Sequence, residues 1–144
     1  MSSTEKLVIK ALNKPAKGGQ EEILEWFCEV FDLAGKNDPL EPEMLRQIAE
    51  RSIKGEGITS KDLNKRLETP RSTVIYHLNR FIYSGLVVRK GRKYYLRSND
   101  MTSTLEEMQA EMEREFNRMM ELAGKLDKML ESEAYGRRRK EREE

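Results

Sequence analysis

Thr69-Pro70-Arg71-Ser72-Thr73-Val74-Ile75-Tyr76-His77-Leu78-Asn79-Arg80-Phe81-Ile82-Tyr83-Ser84-Gly85, followed by Leu86-Val87-Val88-Arg89-Lys90-Gly91-Arg92-Lys93-Tyr94-Tyr95-Leu96, reads as a helix and then a hairpin. Thr69 is placed to cap the first turn, and Pro70 stands at the first helical position, where a missing N–H costs nothing. Val74, Leu78 and Phe81 recur at i, i+4 and i+7, with Ile82 beside them, so one face is expected to enter a core. Gly85 suits a left-handed stop. The other face carries Arg71, Ser72, Tyr76 and Asn79, flanked by His77 and Arg80, and is polar and basic. Leu86–Lys90 and Lys93–Arg97 read as two short strands, and the Lys90-Gly91-Arg92 link between them suits a tight hairpin.

Upstream, Thr59 with Asp62 three residues later resembles a capping box opening a short helix with Leu63 and Leu67 inward. Glu68-Thr69-Pro70 then makes the turn into the next helix, the spacing of a helix-turn-helix. Glu43–Lys54 predicts the helix before it, with Met44, Leu45, Ile48, Ala49 and Ile53 inward. Gly55-Glu56-Gly57 breaks it, and Ile58 is expected to add a third strand to the hairpin.

At these residues the sequence resembles the ArsR-type winged-helix repressors and their archaeal relatives. The resemblance rests on Ser72-Thr73-Val74-Ile75-Tyr76-His77-Leu78, Gly85-Leu86-Val87 and Tyr94-Tyr95-Leu96, and covers roughly residues 44 to 97. Ile75 stands where the family often has serine. The resemblance implies a winged helix-turn-helix that binds double-stranded DNA. Arg71, Ser72, Thr73, Ile75, Tyr76 and Arg80 would then lie on the recognition helix, and Arg89, Lys90, Arg92 and Lys93 on the wing.

Charge segregation agrees with that expectation. From Ile58 to Arg97 ten Lys/Arg stand against two acids, a net +8. From Ser98 to Ala134 four bases stand against ten acids, a net −6. A whole-chain charge of +1 hides this division. A merely solvated basic face is the plainer alternative, but the basic residues coincide with the groove-facing elements.

Glu21–Ala34 predicts a helix with Ile23, Phe27, Val30, Phe31 and Ala34 on one face, widened by Leu24 and Cys28 and closed by Gly35. Trp26 lies on its border. Gly35–Pro42 reads as a linker with Asn37-Asp38-Pro39 turn chemistry. Ahead of the helix, Leu7-Val8-Ile9 lies among Lys6, Lys10, Lys14 and Lys17, an arm that could touch DNA or pack on a partner subunit. After the hairpin, Ser103 with Glu106 suggests a second capping box and a helix reaching about Ala134. In it Leu105, Met112, Met119 and Leu126 recur every seven residues, and Met108, Leu122 and Met129 hold the second position, interrupted by Glu115. Phe116, Ala123 and Leu130 widen the stripe beyond a simple two-stranded seam. The expected homodimer interface is therefore Phe27, Phe31, Leu105, Met108, Met112, Phe116, Met119, Leu122, Leu126 and Met129, with the Glu21 helix packed on the C-terminal one. Tyr135–Glu144 is expected to be a charged, disordered tail.

The resulting expectation is a mainly α fold with a small β-wing: an N-terminal arm and helix (1–42), a winged helix-turn-helix (43–97), a C-terminal dimerisation helix (98–134) and a tail (135–144). No catalytic residues are expected: Gly18-Gly19 lacks a phosphate-loop context, and one histidine supplies no nucleophile–base pair. No metal site and no cofactor are expected, since the chain has one Cys and one His and no Cys-x-Cys motif. A single cysteine fits a reducing, cytoplasmic location, and no long apolar run or signal peptide is read. The function expected is a dimeric, DNA-binding transcriptional regulator, a repressor in the sense of the resemblance. The alternative is a winged-helix module that binds RNA or a protein partner. No effector is named by the residues.

Overall fold

The computed structural model describes residue 14, residues 18–31, residue 33 and residues 39–143. The expected arm at Leu7–Ile9, with Lys6, Lys10 and Lys17, and the expected helix end at Ala34-Gly35 lie outside these residues. Five helices and three strands follow in order: α1 (Gln20–Val30), α2 (Leu40–Ile53), β1 (Ile58–Thr59), α3 (Ser60–Leu67), α4 (Arg71–Ser84), β2 (Val87–Lys90), β3 (Lys93–Leu96) and α5 (Met101–Glu143). The chain forms two compact units, Met1–Glu106 and Glu107–Glu144. Among the described residues no helix is long and apolar enough to cross a membrane.

In the first unit the strands form one antiparallel sheet in the order β1-β3-β2. Ile58 pairs with Tyr94, so the expected third strand is present. Gly91 and Arg92 form the two-residue turn of the β2–β3 hairpin, and Gly91 supplies the positive φ of 63° with which such a turn can begin. The core joins every element of the hairpin and the helices around it. Met44, Leu45 and Ile48 of α2, Ile58, Leu63, and Val74, Leu78 and Phe81 of α4 have no exposed surface, and Leu86, Val87 and Leu96 are buried with them. Ser52 ties α2 to the sheet by accepting the Leu96 N–H at 2.8 Å. Ile53, expected inward, is 67% exposed, because it follows Ser52 at the end of α2 and points out of that contact. Ala49 is half-buried.

Several helix boundaries differ from those the sequence predicts. Thr69 does not cap α4. Its hydroxyl donates to the Leu67 carbonyl at 2.9 Å, and α4 begins at Arg71, with the Pro70 carbonyl accepting from Thr73 and Val74. Thr59 does cap α3, accepting the Asp62 N–H at 3.0 Å. α2 starts at Leu40, so Glu41 and Pro42 belong to its first turn and not to a linker. Proline is tolerated there because the N–H it lacks has no intrahelical acceptor. Within this unit α1 packs on α2. Phe31 is buried, Phe27 half-buried and Ile23 38% exposed.

α5 is opened by Asp100, whose carboxylate accepts the Ser103 N–H at 2.7 Å, and not by Ser103 itself. That hydrogen bond, with a second from the Ser103 hydroxyl, holds the Asp100 carboxyl below its ordinary value. Ser98 donates its N–H to Thr104 Oγ1 at 3.0 Å, fixing the loop onto the first turn. The expected disordered tail is helical to Glu143. Gly136 is a mild breaker only, and Lys140 and Arg142 suit the negative end of the helix dipole. Within α5, Leu105 and Met112 are half-buried and Met108 is buried, whereas Phe116, Met119, Leu122, Leu126, Met129 and Leu130 are each more than half exposed.

Two helix ends share a left-handed residue but not a residue type. Gly85 closes α4 at φ 90°, and Glu68 closes α3 at φ 49°. Side-chain crowding makes that conformation costly for anything but glycine. Glu68→Gly should therefore stabilise the protein by about 0.5 kcal/mol, and Gly85→Ala should destabilise it by about 1 kcal/mol. Both changes would appear as opposite shifts of the urea midpoint at constant m-value.

Candidate nucleic-acid interface

Burying Val74, Leu78 and Phe81 leaves α4 with an outer face of Arg71, Ser72, Tyr76, Asn79 and Tyr83, all exposed, while Thr73, Ile75 and Arg80 are half-buried. No Asp or Glu occurs anywhere in α4. Tyr83, 49% exposed, extends the face beyond the residues the sequence singled out; its i+7 spacing from Tyr76 was the available signal.

Arg89, Lys90, Arg92 and Lys93 are all exposed at the hairpin end. Lys90 and Lys93 are direct cross-strand partners, an arrangement that places like charges opposite each other. Arg89 and Lys90 lie over aromatic rings, 5.7 Å from the Tyr94 centroid and 5.4 Å from that of Tyr95. Arg89 Nε also donates to the Gly91 carbonyl at 2.8 Å. Among the described residues, Arg71, Arg89, Lys90, Arg92 and Lys93 pair with no carboxylate. The exposed α3 residues Lys61, Lys65 and Arg66 likewise meet no carboxylate among the described residues, whereas the cations of α2 and its C-terminal end are neutralised. Arg46 meets Glu43 at 2.6 Å and Glu50 at 2.9 Å, and its hydrogen bond holds the Glu43 carboxyl below the ordinary value. Arg51 and Lys54 meet Glu56 and Glu50.

Arg80, half-buried, donates from its Nε to Glu41 Oε2 at 3.4 Å. Glu41 has no exposed surface. Burial works against the charge on Arg80, yet Glu41, with a smaller contribution from Tyr76, raises the guanidinium above its ordinary value. His77, placed by the sequence on the flank of the outer face, is buried instead. Its Nδ1 lies 3.4 Å from the same Glu41 oxygen but is not aligned for a hydrogen bond. Tyr76 stands edge-on to the His77 ring at 5.1 Å, and the Arg80 guanidinium lies 5.8 Å from its centroid. Glu41 escaped the sequence reading because Pro42 made its segment look like a linker.

The arrangement offers a polar helix face and a set of unneutralised cations, chemistry suited to a phosphate backbone with base edges beside it. Comparison with protein-family models, with curated proteins and with solved structures finds no match to this chain.

The Lys90–Lys93 pair gives a direct test of the hairpin. Lys93→Glu should stabilise the fold by about 0.2–1 kcal/mol, a gain that shrinks as salt is added. The same substitution should lower the salt needed to elute the protein from heparin. Stability is read from urea melts at two ionic strengths.

Proposed function

We propose that this protein is a sequence-specific, double-stranded-DNA-binding transcriptional regulator of the winged helix-turn-helix type, acting as a dimeric repressor. In this reading α3 and α4 are the helix-turn-helix, α4 is the recognition helix and β2–β3 the wing. One observation carries it: five exposed cations of α4 and the hairpin have no carboxylate partner, while cations on α2 do. Unpaired cations that displace counterions from phosphate provide affinity, and the acid-free face of α4 provides hydrogen-bonding groups for base edges. The resemblance of Ser72–Leu78, Gly85–Val87 and Tyr94–Leu96 to ArsR-type repressors supports the same reading.

Dimerisation follows from two considerations. One recognition helix reads a short half-site, which gives little discrimination in a genome. The apolar residues of α5 from Phe116 to Leu130 are more than half exposed in a single copy and recur at heptad spacing, as a self-associating helix requires. A two-fold dimer would present two recognition helices to grooves about 34 Å apart on a near-palindromic site.

Gel-shift titration against DNA from the protein's own upstream region, at two salt concentrations, tests the reading. Saturable binding that survives competitor DNA supports it; equal affinity for single-stranded RNA would favour an RNA-binding module. Arg71→Ala should cost about 1–3 kcal/mol of discrimination at one base position in each half-site. A uniform loss over all sequences would make Arg71 a phosphate clamp.

The assembly has its own test. Met119→Glu, which puts a charge in the middle of the exposed stripe, should convert dimer to monomer in sedimentation velocity and remove most of the DNA affinity. A wild-type monomer at micromolar concentration would end the dimer reading.

A further inference from the structure

A carboxylate without exposed surface is costly unless it is held by partners, so its partners show what it is for. Glu41 sits in the first turn of α2, and one of its oxygens, Oε2, is 3.4 Å from both Arg80 Nε and His77 Nδ1. Those two α4 side chains are also the two groups that flank the Tyr76 ring, His77 edge-on at 5.1 Å and Arg80 at 5.8 Å. Tyr76 itself is 58% exposed. A contact chain thus runs from a buried acid on α2, through a pair of cationic or imidazole groups, to an exposed aromatic ring on the outer face of α4.

We infer that Glu41 is a positioning residue: by holding Arg80 through a hydrogen bond, with the His77 ring packed beside the same oxygen, it fixes the Tyr76 ring, and Tyr76 is a side chain with which α4 selects DNA sequence. The inference rests on the DNA-binding reading above. Tyrosine suits the role. Its hydroxyl both donates and accepts, and its ring edge can meet a thymine methyl. An exposed tyrosine that must be ordered on binding loses affinity for its target, whereas one already held does not. Glu41 also balances the charge of Arg80, which leaves Arg71 and the hairpin cations as the phosphate contacts. A purely structural ion pair between α2 and α4 would also explain the distances, but would have no particular connection to Tyr76.

Glu41→Gln separates the two. The ratio of affinities for the selected site and for random DNA should fall about two- to tenfold, the scale of one side chain left unordered. In a Tyr76→Ala background the same substitution should leave that ratio unchanged. An equal loss of affinity for both DNAs, or an undiminished effect on the ratio without Tyr76, overturns the inference. Because Glu41→Gln strands a charged Arg80, the Glu41→Gln, Arg80→Gln double variant provides a neutral pair that keeps the fold. A second readout needs no DNA. In protein labelled with 3-fluorotyrosine, the Tyr76 resonance, identified by its loss in Tyr76→Phe, should move toward the free-tyrosine position in either Glu41 variant. A resonance that stays in place overturns the link between Glu41 and Tyr76. If the wild type shows no DNA selectivity, the regulator reading fails, while the fluorine spectrum still decides whether Glu41 positions Tyr76.

Discussion

Helix α4 has to satisfy two media at once, and the rest of the first unit is arranged to let it do so. Val74, Leu78 and Phe81 are removed from water completely, each contributing about 1.5–3 kcal/mol relative to exposure. α4 packs on α3 and β2, whose buried residues meet this face, so the interior side of α4 is fixed by close packing. Its outer side is correspondingly free of any structural duty. Small features protect that division. Ser84 donates to the Phe81 carbonyl and accepts the Leu86 N–H, so the chain leaves α4 for β2 with its polar groups satisfied inside the core.

Apolar packing alone would not set how a polar side chain on the outer face is held. A tether of opposite charge would, but an acid placed on that face would repel phosphate. The sequence keeps every acid out of α4 and brings one from α2. Glu41 reaches Arg80 and His77 from within the core, where the amino-terminal end of α2 also favours a negative charge. The desolvation of that carboxylate is opposed by the charge of Arg80, which stays half-exposed and keeps much of its own hydration. The outer face thus remains net positive without leaving its basic residue at position 80 loose.

How much of this was legible in the sequence follows from the range of each interaction. Period-3.6 burial in α4, the two-residue hairpin turn, the left-handed stop at Gly85 and the Thr59 cap depend on neighbours within a few positions, and each is present. Exposure of Arg71, Ser72 and Tyr76 on α4 follows from the same periodicity, and that of the hairpin cations from their place at the turn, whereas Thr73, Ile75 and Arg80 are half-buried. The pairing of Glu41 with Arg80 spans 39 residues and leaves no local trace. Histidine at the margin of a helix face could turn either way, and here it is buried. Thr69, Ser103 and Pro42 differ from expectation for another reason. A hydroxyl or carboxylate near a helix start has several backbone groups within reach, and proline permits both a linker and a first turn.

The second unit poses a different physical problem. Most helical stability in proteins comes from tertiary packing of an apolar face, and helix propensity alone is marginal. From Phe116 onward α5 has its apolar residues more than half exposed, with local support such as the Arg118–Glu115 pair at 3.0 Å, itself well solvated. A second copy meeting the stripe would supply the missing packing. Helix order in Glu107–Glu144 and self-association would then be one equilibrium. Glu115 interrupts the stripe at a position that an in-register parallel partner would bring against its own copy. Two carboxylates there oppose association on the amino-terminal side of Phe116, so the heptads from Phe116 to Leu130 must carry the contact. In that assembly a charge at residue 119 falls within the stretch whose apolar residues are more than half exposed.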